Sequence, residues 1–184
     1  MRMNTTPTLA FAAIFLAAPV SAVHADCGPV LAAYAKADAT KRFAMFDVDS
    51  LAAPPKGEAF MISIGDDSYV QNIVRKSALD YVMDGYKRSA SSFVRSEADS
   101  LKSREKRGVV RCEPLGERKI GTEPALGYQI RNNDKGNQPD DTAIHMWVNR
   151  STGLPMYHGM GSDGGLRWVY GAAVVAPAAD KVRK

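Results

Sequence analysis

The sequence predicts an α+β fold, on three observations. Apolar residues recur at helical spacing in two segments of the first 107 residues. From Gly108 onward the chain breaks into short apolar runs, and Gly, Pro, Asn and Asp clusters separate them. Helical stretches followed by consecutive strands favour a meandering antiparallel sheet covered by helices.

The N-terminus has the three parts of an export signal. Arg2 precedes the apolar run Leu9 to Val20, and the small residues Val23 and Ala25 stand before Asp26. The run is shorter than a membrane-spanning helix needs, which weighs against a retained anchor. We therefore expect a signal peptide over residues 1–25, cleaved after Ala25, and export to the periplasm. One α+β domain is expected over 26–177, followed by a flexible tail at 178–184. Lipidation of Cys27 is disfavoured by Asp26 directly before it. An exported chain with two cysteines ordinarily pairs them, so Cys27 and Cys112 are expected to form a disulfide. Closing so long a loop contributes on the order of 4 kcal/mol.

In chain order, Val30, Leu31, Tyr34 and Ala37 fall on one side of a short helix. Phe60, Ile62 and Ile64 alternate with Ala59, Met61 and Ser63 before the turn at "GDD", which predicts a hairpin. Between Ser77 and Arg107, the apolar positions Leu79, Val82, Met83, Tyr86, Ala90, Phe93, Val94 and Leu101 fit one kinked helix or two helices, with Gly85 a weak point. The remaining runs, "GVVRCEPLGERKI", "ALGYQIRNN", "TAIHMWVN", "LPMYHGM" and "LRWVYGAAVVAP", read as strands.

Signal removal takes Arg2 and lowers the formal charge from +4 to +3. The basic residues concentrate between Lys102 and Lys119: Lys102, Arg104, Lys106, Arg107, Arg111, Arg118 and Lys119. Such a run is ordinarily a solvated face, and it could also meet an anionic membrane surface or an acidic envelope protein. Its aromatic interleaving is too sparse for nucleic-acid binding.

Gly159, Gly161 and Gly164 match G-x-G-x-x-G, but the alternating run "LRWVYGAAVV" follows where a nucleotide fold needs a helix. A nucleophile elbow at Ser162 fails because Met160 stands where glycine is required. Asn132 to Asp141 lack calcium-loop spacing and read as a polar hairpin tip, and the sequon at Asn149 lies in a tight turn.

A metal site between His145 and His158 depends on hairpin register. A three-residue loop, Ser151-Thr152-Gly153 with left-handed Gly153, pairs Val148 with Met156 and Met146 with His158, and sends the two histidines to opposite faces. It also gathers Ile144, Met146, Val148, Leu154 and Met156 on one apolar face and sets Trp147 against Tyr157 on the other, so we adopt it. No catalytic set, metal site or cofactor is expected. The methionines Met61, Met83, Met146, Met156 and Met160 suit either an ordinary core or a surface for variable apolar ligands.

Three C-terminal segments, "CEPLGERKIG" (112–121), "WVNRSTGLP" (147–155) and "WVYGAAVVAP" (168–177), resemble exported proteins of the LolA-like superfamily. These are lipoprotein carriers with their lipoprotein-sorting and sigma-factor-regulatory relatives. "GEAFMISIGDDSYVQ" is similar to the paired early strands of that family. The resemblance implies a strongly curved, unclosed antiparallel barrel with helices packed in its mouth and a cavity for acyl chains. Phe60, Ile62, Ile64, Leu126, Tyr128, Ile130, Ile144, Met146, Val148 and Met156 are then the expected cavity residues. The expected role is non-enzymatic binding or carriage of a lipid or of lipoprotein acyl chains. The other reading is an interaction or envelope-stress module using Lys102 to Lys119 with exposed Trp147 and Tyr157.

Overall fold

A computed structural model describes residues 26–77, 80–89, 91–132, 143–161 and 163–183. The expected signal peptide, Leu79, Ala90, Ser162 and the tip 133–142 lie outside them. Helix α1 spans Gly28–Thr40 and α2 spans Phe93–Lys106. The strands are β1 (Arg42–Ser50), β2 (Met61–Ile64), β3 (Asp67–Arg75), β4 (Tyr81–Ser89), β5 (Val110–Ile120), β6 (Glu123–Asn132), β7 (Ile144–Asn149), β8 (Pro155–Met160), β9 (Asp163–Tyr170) and β10 (Val182–Arg183).

They form one sheet in the order β10-β4-β3-β2-β1-β9-β8-β7-β6-β5. Every pairing is antiparallel except that of β10 with β4. The fold is α+β, an unclosed and curved antiparallel sheet with both helices on its inner face. A sheet of this strand number is roughly 43 Å wide at about 4.8 Å per spacing. Helix α1 is only about 20 Å long at 1.5 Å per residue. Curvature lets the two helices reach side chains from β2 to β5 in one inner core: Met61, Phe43, Met45, Trp168, Met146, Val148, Ile130, Val110 and Cys112.

Pro29 sits in the first turn of α1, where its missing N–H is not needed. Ser92 caps α2 by accepting from the Arg95 N–H, and its hydroxyl donates to Asp38 of α1 at 2.5 Å. Arg95 adds an ion pair to the same carboxylate at 2.9 Å. The Ser92 hydrogen bond, helped by Arg95, holds the Asp38 carboxyl below its usual range. Cys27, at the N-cap of α1, is bonded to Cys112 of β5 across 85 residues. Its backbone N–H also donates to Glu105 of α2 at 2.7 Å. One residue thus fastens α1 to the sheet and to α2.

The segment Ser77–Arg107 differs from the helical expectation. Its first half is β4, paired with β3 from Ser68↔Ser89 to Arg75↔Tyr81. Gly85 explains the choice. The carbonyl of Lys181 lies where a Cβ at this position would stand, only 2.1 Å away, so the C-terminal chain passes directly over it. Nonlocal pairing therefore overrides a helical spacing that was fortuitous. The tail expected to fray instead adds β10 beside Tyr86 and Lys87, held by Arg183 on Asp84 at 2.8 Å and by Lys181 on Glu58. Strand β1 had no counterpart in the sequence reading, although Phe43 and Met45 alternate with Ala44 and Phe46.

The outer face is covered too. The connection from Leu51 to Ala59 lies over it with Val174, where Leu51 packs with Trp147, Met156 and Tyr157, and Ala59 and Val174 pack with Ile62 and Tyr86. Removing the disulfide, as Cys27→Ser with Cys112→Ser, should lower the unfolding free energy by about 4 kcal/mol. The measurement is the urea midpoint of oxidised, reduced and doubly substituted protein. Equal midpoints for all three would contradict the role given to Cys27.

Candidate functional site

Hairpin β7–β8 has the inward and outward sides expected of it, with one correction. Met146 faces His158 and Trp147 faces Tyr157, and Gly153 is left-handed at φ 69°. Val148, however, pairs with Pro155 rather than Met156. Met156 is the extra residue of a bulge, and a bulge re-aims a side chain. It packs outward against Trp147 and Tyr157.

The ten residues expected to line one cavity divide accordingly. Tyr128, Ile130, Ile144, Met146, Val148 and Phe60 belong to the inner core, and Leu126 stands two residues from Tyr128, partly buried. Ile62 and Ile64 pack on the outer side with Tyr86 and Val174. Their neighbours Met61 and Ser63 are buried as well, because both faces of β2 are covered. A strand covered on both faces reads as a continuous apolar run, so alternation alone could not tell inside from outside.

A cavity of about 480 Å³, open to solvent on one side, lies on the inner surface where β7, β8 and β9 end. Ile144, Leu166, Met160 and His158 form its walls together with the backbone of Gly159, Gly164 and Gly165. Met160 is 62% exposed, whereas Met45, Met61 and Met146 are fully buried core. The methionines therefore divide between ordinary packing and an open apolar wall. Of the ten expected residues, Ile144 borders this cavity.

His158 is the cavity's one titratable side chain among the described residues. It meets the ring of Tyr34 of α1 edge-on, with centroids 6.4 Å apart. Burial lowers its pKa from 6.5 to about 4, so the ring is neutral at neutral pH. Burial, and then Glu97 of α2, push the Tyr34 hydroxyl upward, so it stays protonated. His145 points to the other face, where its Nε2 lies 3.2 Å from the amide nitrogen of Gln129. Among the described residues, no group of three or more His, Cys, Asp or Glu could hold a metal ion. Gly159, Gly161 and Gly164 lie at the connection of β8 and β9, so a strand follows them where a nucleotide fold needs a helix.

The basic stretch is spread over two elements. Lys102, Lys106 and Arg107 are exposed at the end of α2, and Arg104 donates to Asn132 at 3.0 Å. On β5, Arg111 pairs with Glu113 at 2.8 Å, and Arg118 lies over the Trp147 ring at 5.2 Å. Trp147 and Tyr157, expected as exposed partners of this face, are buried beneath the connection that starts at Leu51. That connection has no periodic pattern and gave no signal of where it would cross.

No protein-family model matches the sequence, and no curated protein matches it. Among solved structures the chain is similar to MucB, at 16% identity and a TM-score of 0.36, over 84% of this chain and 61% of that one. It is also similar to the Mycobacterium tuberculosis lipoprotein LppX, at 16% identity and a TM-score of 0.31, over 78% of this chain and 94% of that one. The chain thus spans 61% of the length of the MucB chain. Both likenesses are distant.

The lowered pKa of His158 has a definite sign for stability. The unfolded chain takes up a proton near pH 6.5 and the folded chain only near 4, so stability is full above pH 6.5 and falls as the pH drops toward 4. The loss is at most about 3 kcal/mol, and less to the extent that cavity water reaches the ring. His158→Phe should flatten chemical-denaturation stability between pH 6.5 and 4.5, a window above most carboxylate titrations. An unchanged slope would show that His158 is as easily protonated in the folded chain as in the unfolded one.

Proposed function

We propose that this chain is an exported, LolA-like binding or carrier protein for a hydrophobic or amphiphilic ligand, a lipid or an acylated protein, and that it performs no chemistry of its own. The observation that carries the reading is the apolar cavity bordered by Ile144, Met160 and Leu166, continuous with the inner core beneath α1. Its volume of about 480 Å³ is within the usual range for small-molecule pockets. Three further features support it: the signal-like residues 1–25, the Cys27–Cys112 disulfide, which suits an oxidising compartment, and the resemblance of the C-terminal segments. A ligand seated there would displace water from apolar walls, and that burial supplies the affinity. The inner-core residues among the original ten, Tyr128, Ile130, Met146 and Val148, would shape the floor behind Ile144.

A second reading rests on the exposed cations Lys102, Lys106 and Arg107 at the end of α2. They make no ion pair among the described residues and could dock an anionic membrane surface or an acidic envelope protein. The two readings are compatible, since a carrier must meet the surface it serves.

Mature protein purified without detergent should retain lipid in native mass spectrometry and bind a fluorescent fatty-acid probe. Ile144→Glu or Leu166→Glu places a charge in the apolar wall and should weaken probe binding at least tenfold, about 1.4 kcal/mol. Absence of both retained lipid and probe binding would overturn the carrier reading.

A further inference from the structure

A second cavity lies where the sheet splits. Strand β8 pairs with β9 only over Tyr157 to Gly159, so Pro155 and Met156 part from Trp168 to Tyr170. The Tyr170 hydroxyl donates across the gap to the Pro155 carbonyl at 2.9 Å. The gap opens into a cavity of about 440 Å³ that reaches Pro55, in the connection crossing the outer face.

Arg167 is the feature of this cavity that ordinary packing does not account for. Its guanidinium is partly buried, and burial lowers its pKa against the opposing influence of Glu123. A guanidinium carries five N–H donors. Among the described residues Arg167 makes one side-chain hydrogen bond, to the Leu51 carbonyl at 3.5 Å, and no ion pair. Glu123 also borders the cavity, where its carboxylate accepts from the Asn149 amide and acts on Arg167 through its charge without forming an ion pair with it. Asn149 is itself fixed, because its Oδ1 accepts from the N–H groups of Ser151 and Thr152 at 2.9 Å. The remaining walls, including Leu154, Met156 and Trp168, are largely apolar.

A partly desolvated cation with few acceptors favours a further anion beside it, and a carboxylate matches the guanidinium fork in two parallel hydrogen bonds. We propose that the β8–β9 gap is a binding site for a small carboxylic acid with an apolar body. The carboxylate sits on Arg167 and the body lies between Leu154, Met156 and Trp168. Glu123 sets the selectivity by disfavouring ligands with more than one negative charge near the fork. This site is separate from the inner cavity and does not depend on the carrier reading.

The test uses the full mature chain and 2-naphthoate as the probe, with 2-naphthamide as its uncharged counterpart. Titration calorimetry should give at least tenfold tighter binding of naphthoate. The Trp168 indole N–H resonance, identified in Trp147→Phe, should shift on addition. Arg167→Gln should abolish the preference for naphthoate. Arg167→Lys should lose most of it, because a point charge lacks the fork. Glu123→Gln should tighten naphthoate severalfold, and Ile144→Glu, in the inner cavity, should leave it unchanged. Should the Arg167 variants fail to fold, the acid–amide comparison and Glu123→Gln decide the matter in otherwise native protein. Equal binding of acid and amide by the native protein, or an undiminished preference in Arg167→Gln, overturns the proposal. Loss of naphthoate binding in Ile144→Glu does the same, since it moves the probe to the inner cavity.

Discussion

Two short helices must cover one face of a ten-stranded sheet, and the rest of the architecture answers that mismatch. A flat sheet of this width would leave most of its inner side chains in water. Curving it around α1 and α2 brings Met61 of β2 and Cys112 of β5 into the same core, although five strands lie between theirs in the sheet order. The Cys27–Cys112 bond makes that arrangement durable, because it fixes the start of α1 to the strand at the far edge. Even so, coverage is incomplete. Apolar surface remains open where β7, β8 and β9 end beyond the helices, and that remainder is the inner cavity.

The same curvature accounts for the split between β8 and β9. Strands that wrap tightly diverge or bulge where twist accumulates, and Met156 is such a bulge. Past it, β8 stays with β7 while β9 stays with β1, whose pairing runs from Phe43↔Tyr170 to Ser50↔Asp163. The gap between them places Arg167 under the connection from β1 to β2 with few acceptors in reach. Packing geometry thus produces two cavities of different character, one apolar around a neutral histidine and one built around a cation.

Local chemistry made much of this legible in the sequence. The Val30/Leu31/Tyr34/Ala37 spacing marks α1, and the apolar pattern of the flanking strands selects the tight turn with left-handed Gly153 between β7 and β8. The opposite facing of His145 and His158 follows from the register that this pattern selects. What the sequence hid was nonlocal. Nothing near Gly85 records that the Lys181 carbonyl passes over it, so β4 looked helical. Nothing near Trp147 records that Leu51 covers it, so a buried indole looked exposed. Ile62 and Ile64 were assigned inward because a strand buried on both faces carries no polarity signal. Arg167 drew no notice for a related reason, since a single arginine in an apolar strand matches no motif until the strand beside it is seen to leave.

The two cavities also differ in what they demand of a ligand. In the inner one, the neutral His158 ring among Ile144 and Leu166 asks for little beyond apolar bulk, and affinity there scales with the area removed from water. Such a site tolerates variety in its occupants. In the β8–β9 gap, the Arg167 fork imposes charge and planarity, while Glu123, held by Asn149, imposes a limit on charge. Discrimination comes from polar groups that a wrong ligand leaves unpaired, which is worth more than a missing methylene. The two cavities thus offer different chemistry, an apolar wall in one and a charged pair set among apolar side chains in the other.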